Sequence, residues 1–384
     1  MQRLVYLLFI MLIAYLSVGC EQNIPIQASG KTVKIGFIGP FTGVDGVQGR
    51  ESIKGIRTML HLQPLLHNGD AIELVIENDH NDPELTERAL RKLSERDKVS
   101  AVLLASSTTA ALKAAKIVDT VEIPTIALLA THPGVVEKRK YINQLCFDDR
   151  FQGSVAALFV ADELLIEKVA VFTELDDMYS VFLGAEFVRK YESVGGEITQ
   201  TIVIDKEQND FSKILHSLHE KGTELLYFPV STDHAMEIIK AARKSWQEPE
   251  MMGSDGLLAS VINNYPDDLK LLEGIYASDF FSSFYHSPPT AFGNNVAKMY
   301  YSLFHGFPSS FTALGAEGYA VLYAAMDRCD DSADRECINR MIRNTNKFEG
   351  VMARISIGAD GKAVRPLFIN RISNGKLKTM VKVH

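Results

Sequence analysis

Beyond residue 30 the chain alternates short apolar runs with longer amphipathic stretches almost to its end. Val33–Ile38, Ile72–Ile76, Val99–Ala105, Ile123–Leu129, Val169–Phe172, Ile198–Ile204 and Leu225–Val230 are β-branched or aliphatic runs of strand length. Helix patterns lie between them. Pro83-Glu84 opens one, with proline at a helix-compatible first position and acids in the first turn, and Leu85, Ala89, Leu90 and Leu93 share one face. Another runs from about Tyr179 to Arg189, Lys190 and Gly195-Gly196, which put basic residues and glycine where a helix C-terminus favours them. Near-continuous apolar strands separated by helices predict parallel sheets covered on both faces. The expectation is an α/β fold of two doubly wound lobes joined by a multi-strand hinge, with a first switch between lobes near residues 148–152. The last third breaks the rhythm: three helical patterns (Thr290–Phe304, Phe311–Arg328, Arg335–Arg343) precede strand-like Val351–Ile357 and Pro366–Ile372. Such a tail predicts a return to the first lobe and then to the second, giving lobes of 32–149 plus 280–347 and 150–279 plus 348–384.

The opening segment sets the compartment. Arg3 supplies a positive charge, Leu4–Val18 are an apolar run of signal-peptide length, and Gly19-Cys20 follow as a small-residue cleavage point. The run is too short for a comfortable membrane span. Cys20 resembles the lipobox cysteine of a bacterial lipoprotein, which is acylated and anchors the mature chain; an ordinary secretory signal cut near Gly19 is the other reading. Both export the protein. Residues 21–31 read as a tether.

Some 360 residues then remain, more than one core usually supports, so two domains are the default. A formal charge of -8 without a basic block argues against nucleic acid as a partner. Cys329 and Cys337 flank a polar stretch and are spaced to close a disulfide loop that would contribute roughly 2–3 kcal/mol in an oxidising compartment. Cys146 is left over and expected to be buried. Neither spacing suits a zinc site, no metal or cofactor is implied, and no hydrolase signature is present. His80, His132 and His234 read as solvated loop histidines.

Ile35-Gly36-Phe37-Ile38-Gly39-Pro40-Phe41-Thr42-Gly43, with Gly46 and Gly49, is a strand entering a glycine-rich turn and a helix, where backbone amides can approach a ligand. It is neither a dinucleotide fingerprint nor a P-loop. Together with Glu77-Asn78-Asp79 and Asp82-Pro83, the Ser106-Ser107-Thr108-Thr109 turn, Ile123-Pro124 with Ala130-Thr131, and Asp149 with Gln152-Gly153, it resembles the leucine/isoleucine/valine-binding family. Asp177-Met178-Tyr179, Gly253-Ser254-Asp255-Gly256, Glu273-Gly274-Ile275-Tyr276, Gly318-Tyr319-Ala320 and Phe348-Glu349-Gly350-Val351 continue the same order. The resemblance spans residue 33 to about 380 and implies a type I periplasmic binding protein.

The resemblance implies a ligand carboxylate held at the Ser107/Thr108 turn, the backbone near Leu129 and the hydroxyl of Thr131. Asp255 stands where relatives place the carboxylate for a ligand ammonium, and Tyr179 where they place a covering tyrosine. Gln48, Ser231 and Thr232 beside Asp233 replace aromatics of relatives, which makes the side-chain pocket more polar than one for leucine. The implied function is capture of an amino acid or similar zwitterion for an ABC-type permease, without catalysis. A sensory module for amides, urea or other small solutes is the alternative.

Overall fold

The computed structural model describes residues 28–384 except 44, 247–248 and 283–287; Arg3, the apolar run and Cys20 lie outside the described residues. Strands β1 (Thr32–Gly39), β2 (Ala71–Asn78), β3 (Ala101–Leu104), β4 (Thr125–Ala127) and β5 (Ile142–Gln144) form a parallel sheet in the order β2-β1-β3-β4-β5. Helices α1 (Gly46–Leu62), α2 (Pro83–Arg91) and α3 (Thr108–Ala115) are its crossovers. β3 is buried along its whole length and β1 from Ile35 onward, as covering on both faces requires. Local chemistry sets the helix starts: Asp82 accepts the amide of Leu85 (2.8 Å) with Pro83 in the first position of α2.

The second sheet follows α4 (Asp149–Leu158) and holds β6 (Lys168–Glu174), β7 (Glu197–Ile204), β8 (Leu225–Phe228), β9 (Glu250–Gly253) and β10 (Tyr276–Asp279), all parallel. Helices α5 (Met178–Ser193), α6 (Ser212–Glu220), α7 (Thr232–Ser245) and α8 (Leu257–Asn264) connect them. Two further helices, α9 (Ala291–Phe304) and α10 (Ser310–Met326), pack on α1, and α11 (Arg335–Arg343) packs on α10. The helical patterns of the tail thus return to the first lobe. A small antiparallel sheet of β11 (Phe348–Glu349), β12 (Arg354–Ile357) and β13 (Ala363–Val364) comes next. β14 (Leu367–Ser373) and β15 (Lys376–Val383) then extend the second sheet in the order β15-β14-β10-β9-β8-β6-β7.

Two differences from the sequence expectation have physical reasons. The second sheet is antiparallel at this edge, because Asn374-Gly375, at φ 53° and 67°, makes the two-residue turn that reverses β14 into β15. The tail also joins the second sheet at β14 rather than at residue 348. Residues 348–364 stay with the first lobe, where Val351 N donates to Glu317 Oε1 (2.7 Å) and Gln144 N to Gly361 O (2.8 Å).

The chain therefore passes between the lobes three times, after β5, after β10 and before β14. One hydrophobic cluster runs from Phe37 and Leu103 through Phe147, Phe280 and Phe281 at these crossings to Val169 and Val171. Phe147 and Phe280 stack with centroids 4.4 Å apart. Cys329 and Cys337 are disulfide-bonded, with Cα atoms 6.0 Å apart, and Cys146 is free and buried.

Helices α1 and α10 touch backbone to backbone. A Cβ on Gly55 would stand 1.9 Å from Thr312 O, and one on Gly315 2.0 Å from Ser52 O. Neither neighbour is a side chain that can swing away. Gly55→Ala is expected to force the helices apart and destabilise the protein by about 1–3 kcal/mol, read as a lower midpoint in urea unfolding. An unchanged midpoint would contradict this packing.

Candidate functional site

The C-terminal ends of parallel strands in an open α/β sheet are where ligands bind, because the connecting turns diverge there and leave a crevice. Here two such sheets face one another. A cavity of about 430 Å³ is walled by the turns after β1, β3 and β4 on one side and after β6, β8 and β9 on the other. That is room for a small organic solute. The lobes touch across it: Thr109 Oγ1 donates to Asp177 Oδ1 (3.4 Å) and accepts from Met178 N (3.3 Å).

The first-lobe wall is a braced turn. Ser107 caps α3 by accepting from Ala110 N (3.4 Å), and its own amide donates to Asn81 Oδ1 (2.8 Å). Asn81 N in turn donates to the buried Asp79 (3.0 Å), which also takes hydroxyls from Thr86 (2.8 Å) and Ser106. Ser107, Thr108 and Leu129 line the cavity. Thr131 does not. It is fully buried behind Thr108, whose Oγ1 accepts the Thr131 amide (3.3 Å), and its own hydroxyl lies toward the Asp149 carboxyl.

The opposite wall brings Tyr179 and Asp255 together: Tyr179 OH donates to Asp255 Oδ1 at 2.6 Å, and Gln152 Nε2 donates to the same oxygen at 2.7 Å. Gln152 also donates to Ser278 Oγ (2.8 Å), which fixes its orientation. Both side-chain donors meet Oδ1, which leaves Oδ2 free of them in the cavity lining. Burial pushes the Asp255 carboxyl up, against the pull of Tyr179, Gln152 and its own backbone amide. The fully buried Asp149 lies nearby beside the Thr131 hydroxyl, and burial followed by the Asp255 charge raises it well above the usual range.

Sequence reading missed Glu174, at the C-terminal end of β6. Its Oε1 accepts from Ser231 N (3.0 Å) and Ser231 Oγ (2.6 Å) and meets His234 Nδ1. An acid closing a buried parallel strand was the available signal. His234 is not a solvated loop residue: it sits on α7 in the cavity wall with a side chain 14% exposed. His132 is half-buried against Phe182, centroids 4.2 Å apart, while His80 is exposed as expected. Gln48, Ser231 and Thr232 line the cavity, whereas Asp233 is exposed beside it and bonds Tyr265. Among the described residues no group of three acid, histidine or cysteine side chains converges to hold a metal ion.

Two more acids at the lobe interface are raised, mainly by burial: Asp177 to about 6, helped by Glu174, and Asp279 to about 7, helped by Asp255. Because these folded-state values exceed the unfolded one near 4, the folded chain binds more protons between about pH 4 and 7, and stability falls as pH rises through that window. Melting temperatures of ligand-free protein are expected to decrease from pH 5 to pH 7.5. Asp279→Asn should flatten the upper part of that slope, and an unaltered slope would contradict the assignment.

Two α/β lobes enclosing a polar cavity at their strand ends define a two-lobed small-molecule-binding protein. A family model described as periplasmic binding protein matches residues 32–376, and the chain belongs to that family. Its members here are solute-binding proteins rather than enzymes, and membership puts the chain on the extracytoplasmic side. It is 23% identical over 246 residues to an amino acid binding protein of Pseudomonas aeruginosa, covering 63% of this chain and 66% of that protein, just under two thirds. A leucine binding protein of Thermotoga maritima superposes with TM-score 0.83 at 25% identity, covering 91% of this chain and 98% of that one. The isoleucine-bound branched-chain amino acid transporter substrate binding protein of Streptococcus pneumoniae gives TM-score 0.82 at 23% identity, with 92% and 100% coverage.

Proposed function

We propose that the protein captures an amino acid or similar small zwitterion between its lobes and delivers it to an ABC-type permease. The observation that carries this reading is the opposition of two walls of unlike chemistry. On one, α3 presents its free N-terminal amides and the Thr108 hydroxyl, which suit a carboxylate. On the other, Asp255 offers an oxygen free of both side-chain donors, beside the ring of Tyr179, which suits an ammonium. Ser107 and the backbone near Leu129 complete the carboxylate side, and Thr131 positions Thr108 from behind. The amino acid binding protein of P. aeruginosa and the leucine binding protein of T. maritima are consistent with this solute class. Lobe closure about the three crossings is the signal a permease would read.

The chain has no nucleotide-hydrolysing motif, so permease and ATPase subunits supply the energy. Disrupting the gene should abolish cellular uptake of the solute the purified protein binds. Intact uptake with a lost transcriptional or behavioural response would favour the sensory reading for amides, urea or other solutes. We further propose that Cys20 is acylated and tethers the lobes to the membrane through residues 21–31. Mass spectrometry of detergent-extracted protein should find acyl chains on an N-terminal Cys20, and an unmodified Cys20 would sink that claim while leaving export intact.

A further inference from the structure

A zwitterion uses one carboxylate and one ammonium, yet the cavity lining holds five carboxylic acids, Asp45, Glu174, Asp176, Asp177 and Asp255, against a single lysine. That lysine, Lys206, is exposed. Asp255 accounts for the ammonium, which leaves more acids than basic side chains, the only other basic group among the described residues of the lining being His234 beside Glu174. Glu174 is the clearest case. The residue is 9% exposed, it lines the cavity, and all three of its protein partners meet Oε1, so Oε2 receives no hydrogen bond from a described residue. Lobe closure over a solute would take this oxygen out of water, which is unfavourable unless the solute supplies a donor.

Facing it from the first lobe is Asp45, next to Gln48. Asp45 has one side-chain donor, Asn81 Nδ2 at 3.0 Å; burial raises it most, and the charges of Asp233 and then Glu174 from the other lobe add to that. Lobe closure thus presses like charges toward each other across the cavity. An apolar side chain would bury them unpaired, and an acidic one would add to the repulsion. Ile204, Leu175 and Val230 also line the cavity and provide apolar surface for a methylene stem.

We propose that the solute is an amino acid with a cationic side chain, whose terminal ammonium or guanidinium sits between Glu174 and Asp45 while its α-groups occupy Asp255 and the α3 N-terminus. The proposal rests on the zwitterion reading above and adds a third, cationic contact. Binding supplies a donor at Glu174 Oε2 and removes the repulsion that opposes closure. His234 reaches Glu174 only on the Oε1 side, so it leaves this oxygen to the ligand.

Calorimetric titration of the ligand-free chain with L-arginine, L-lysine, L-ornithine, L-glutamine, L-leucine and L-glutamate tests it. A basic amino acid is expected to bind at least ~100-fold more tightly than the neutral and acidic ones. Glu174→Gln, close to isosteric, should cost that ligand ~30-fold or more while changing glutamine affinity by less than ~3-fold, and Asp45→Asn should act in the same direction. Melting curves of both variants confirm that they fold. Tightest binding of leucine, glutamine or glutamate, or equal weakening of all ligands by Glu174→Gln, overturns the cationic subsite. Failure of the underlying reading looks different: agmatine, which has the cation but no carboxylate, would bind as tightly as arginine and remain sensitive to Glu174→Gln. That result contradicts the zwitterion and leaves the cationic contact standing.

Discussion

Asp255→Asn is expected to weaken amino-acid binding by roughly 30- to several-thousand-fold while leaving the melting temperature of the ligand-free protein nearly unchanged. The carboxylate is held by Tyr179 at 2.6 Å and Gln152 at 2.7 Å on Oδ1, and neither donor pairs with the oxygen facing the cavity. In the closed, dried cavity an ammonium without its counter-charge loses a charge-assisted hydrogen bond, typically about 2–5 kcal/mol. The amide is similar in size, so packing survives; because burial already raises Asp255, removing its charge should not harm the empty protein. Thr131→Val should cost much less, since Thr131 stands behind Thr108 and its amide contact to Thr108 Oγ1 remains. Isothermal titration with the tightest amino acid measures both. Equal affinity of Asp255→Asn and the parent would remove Asp255 from the site.

Arg365→Met is expected to destabilise the fold by about 3–5 kcal/mol, the usual result of stranding one member of a buried ion pair. Arg365 Nη1 donates to Glu317 Oε2 at 3.0 Å, with side chains only 3% and 1% exposed. Its guanidinium also donates to Leu145 O (3.2 Å) and lies 5.5 and 5.1 Å from the ring centroids of Phe280 and Phe281. Glu317 Oε1 accepts from Val351 N. Leu145, Phe280 and the segment before β14 belong to the three interlobe crossings, so one buried cation gathers all of them and joins them to α10. Glu317→Gln combined with Arg365→Met should recover much of the loss, because it removes the stranded charge while keeping an acceptor for Val351 N. Urea unfolding of the parent, the single variant and the double variant measures the effect. A double variant no more stable than the single would show that the ion pair is not the cause.

What the sequence made legible is what periodicity and punctuation encode. The apolar runs mark strands because parallel sheets bury both faces, and Pro83 marks a helix start because its backbone preference is local; Asn374-Gly375 is an equally local hairpin signal that sequence reading missed. The hairpin lay in plain view, but β15 alternates polar and apolar residues on a half-exposed edge and lacks the continuous apolar run that signals a central strand. Ser107, Thr108, Leu129, Tyr179 and Asp255 were nameable through the family resemblance, and all five line one cavity. Thr131 was placed one layer too far forward: it lies buried behind Thr108, and a string of letters does not show which side chain of a turn faces the crevice. Glu174 carried a local signal as an acid closing a buried strand, but its relation to Asp45 arises only when two lobes more than a hundred residues apart in sequence face each other, and no local pattern carries that information.

The central claim, a zwitterion clamped between unlike walls, is tested most directly by comparing the tightest-binding amino acid with its methyl ester and its N-acetyl derivative in one calorimetric series. Both derivatives are expected to lose at least ~30-fold in affinity, the ester because the α3 N-terminus and Thr108 lose their anion and the N-acetyl compound because Asp255 loses its cation. A derivative that binds as tightly as the parent amino acid would contradict the clamp on the side it blocks.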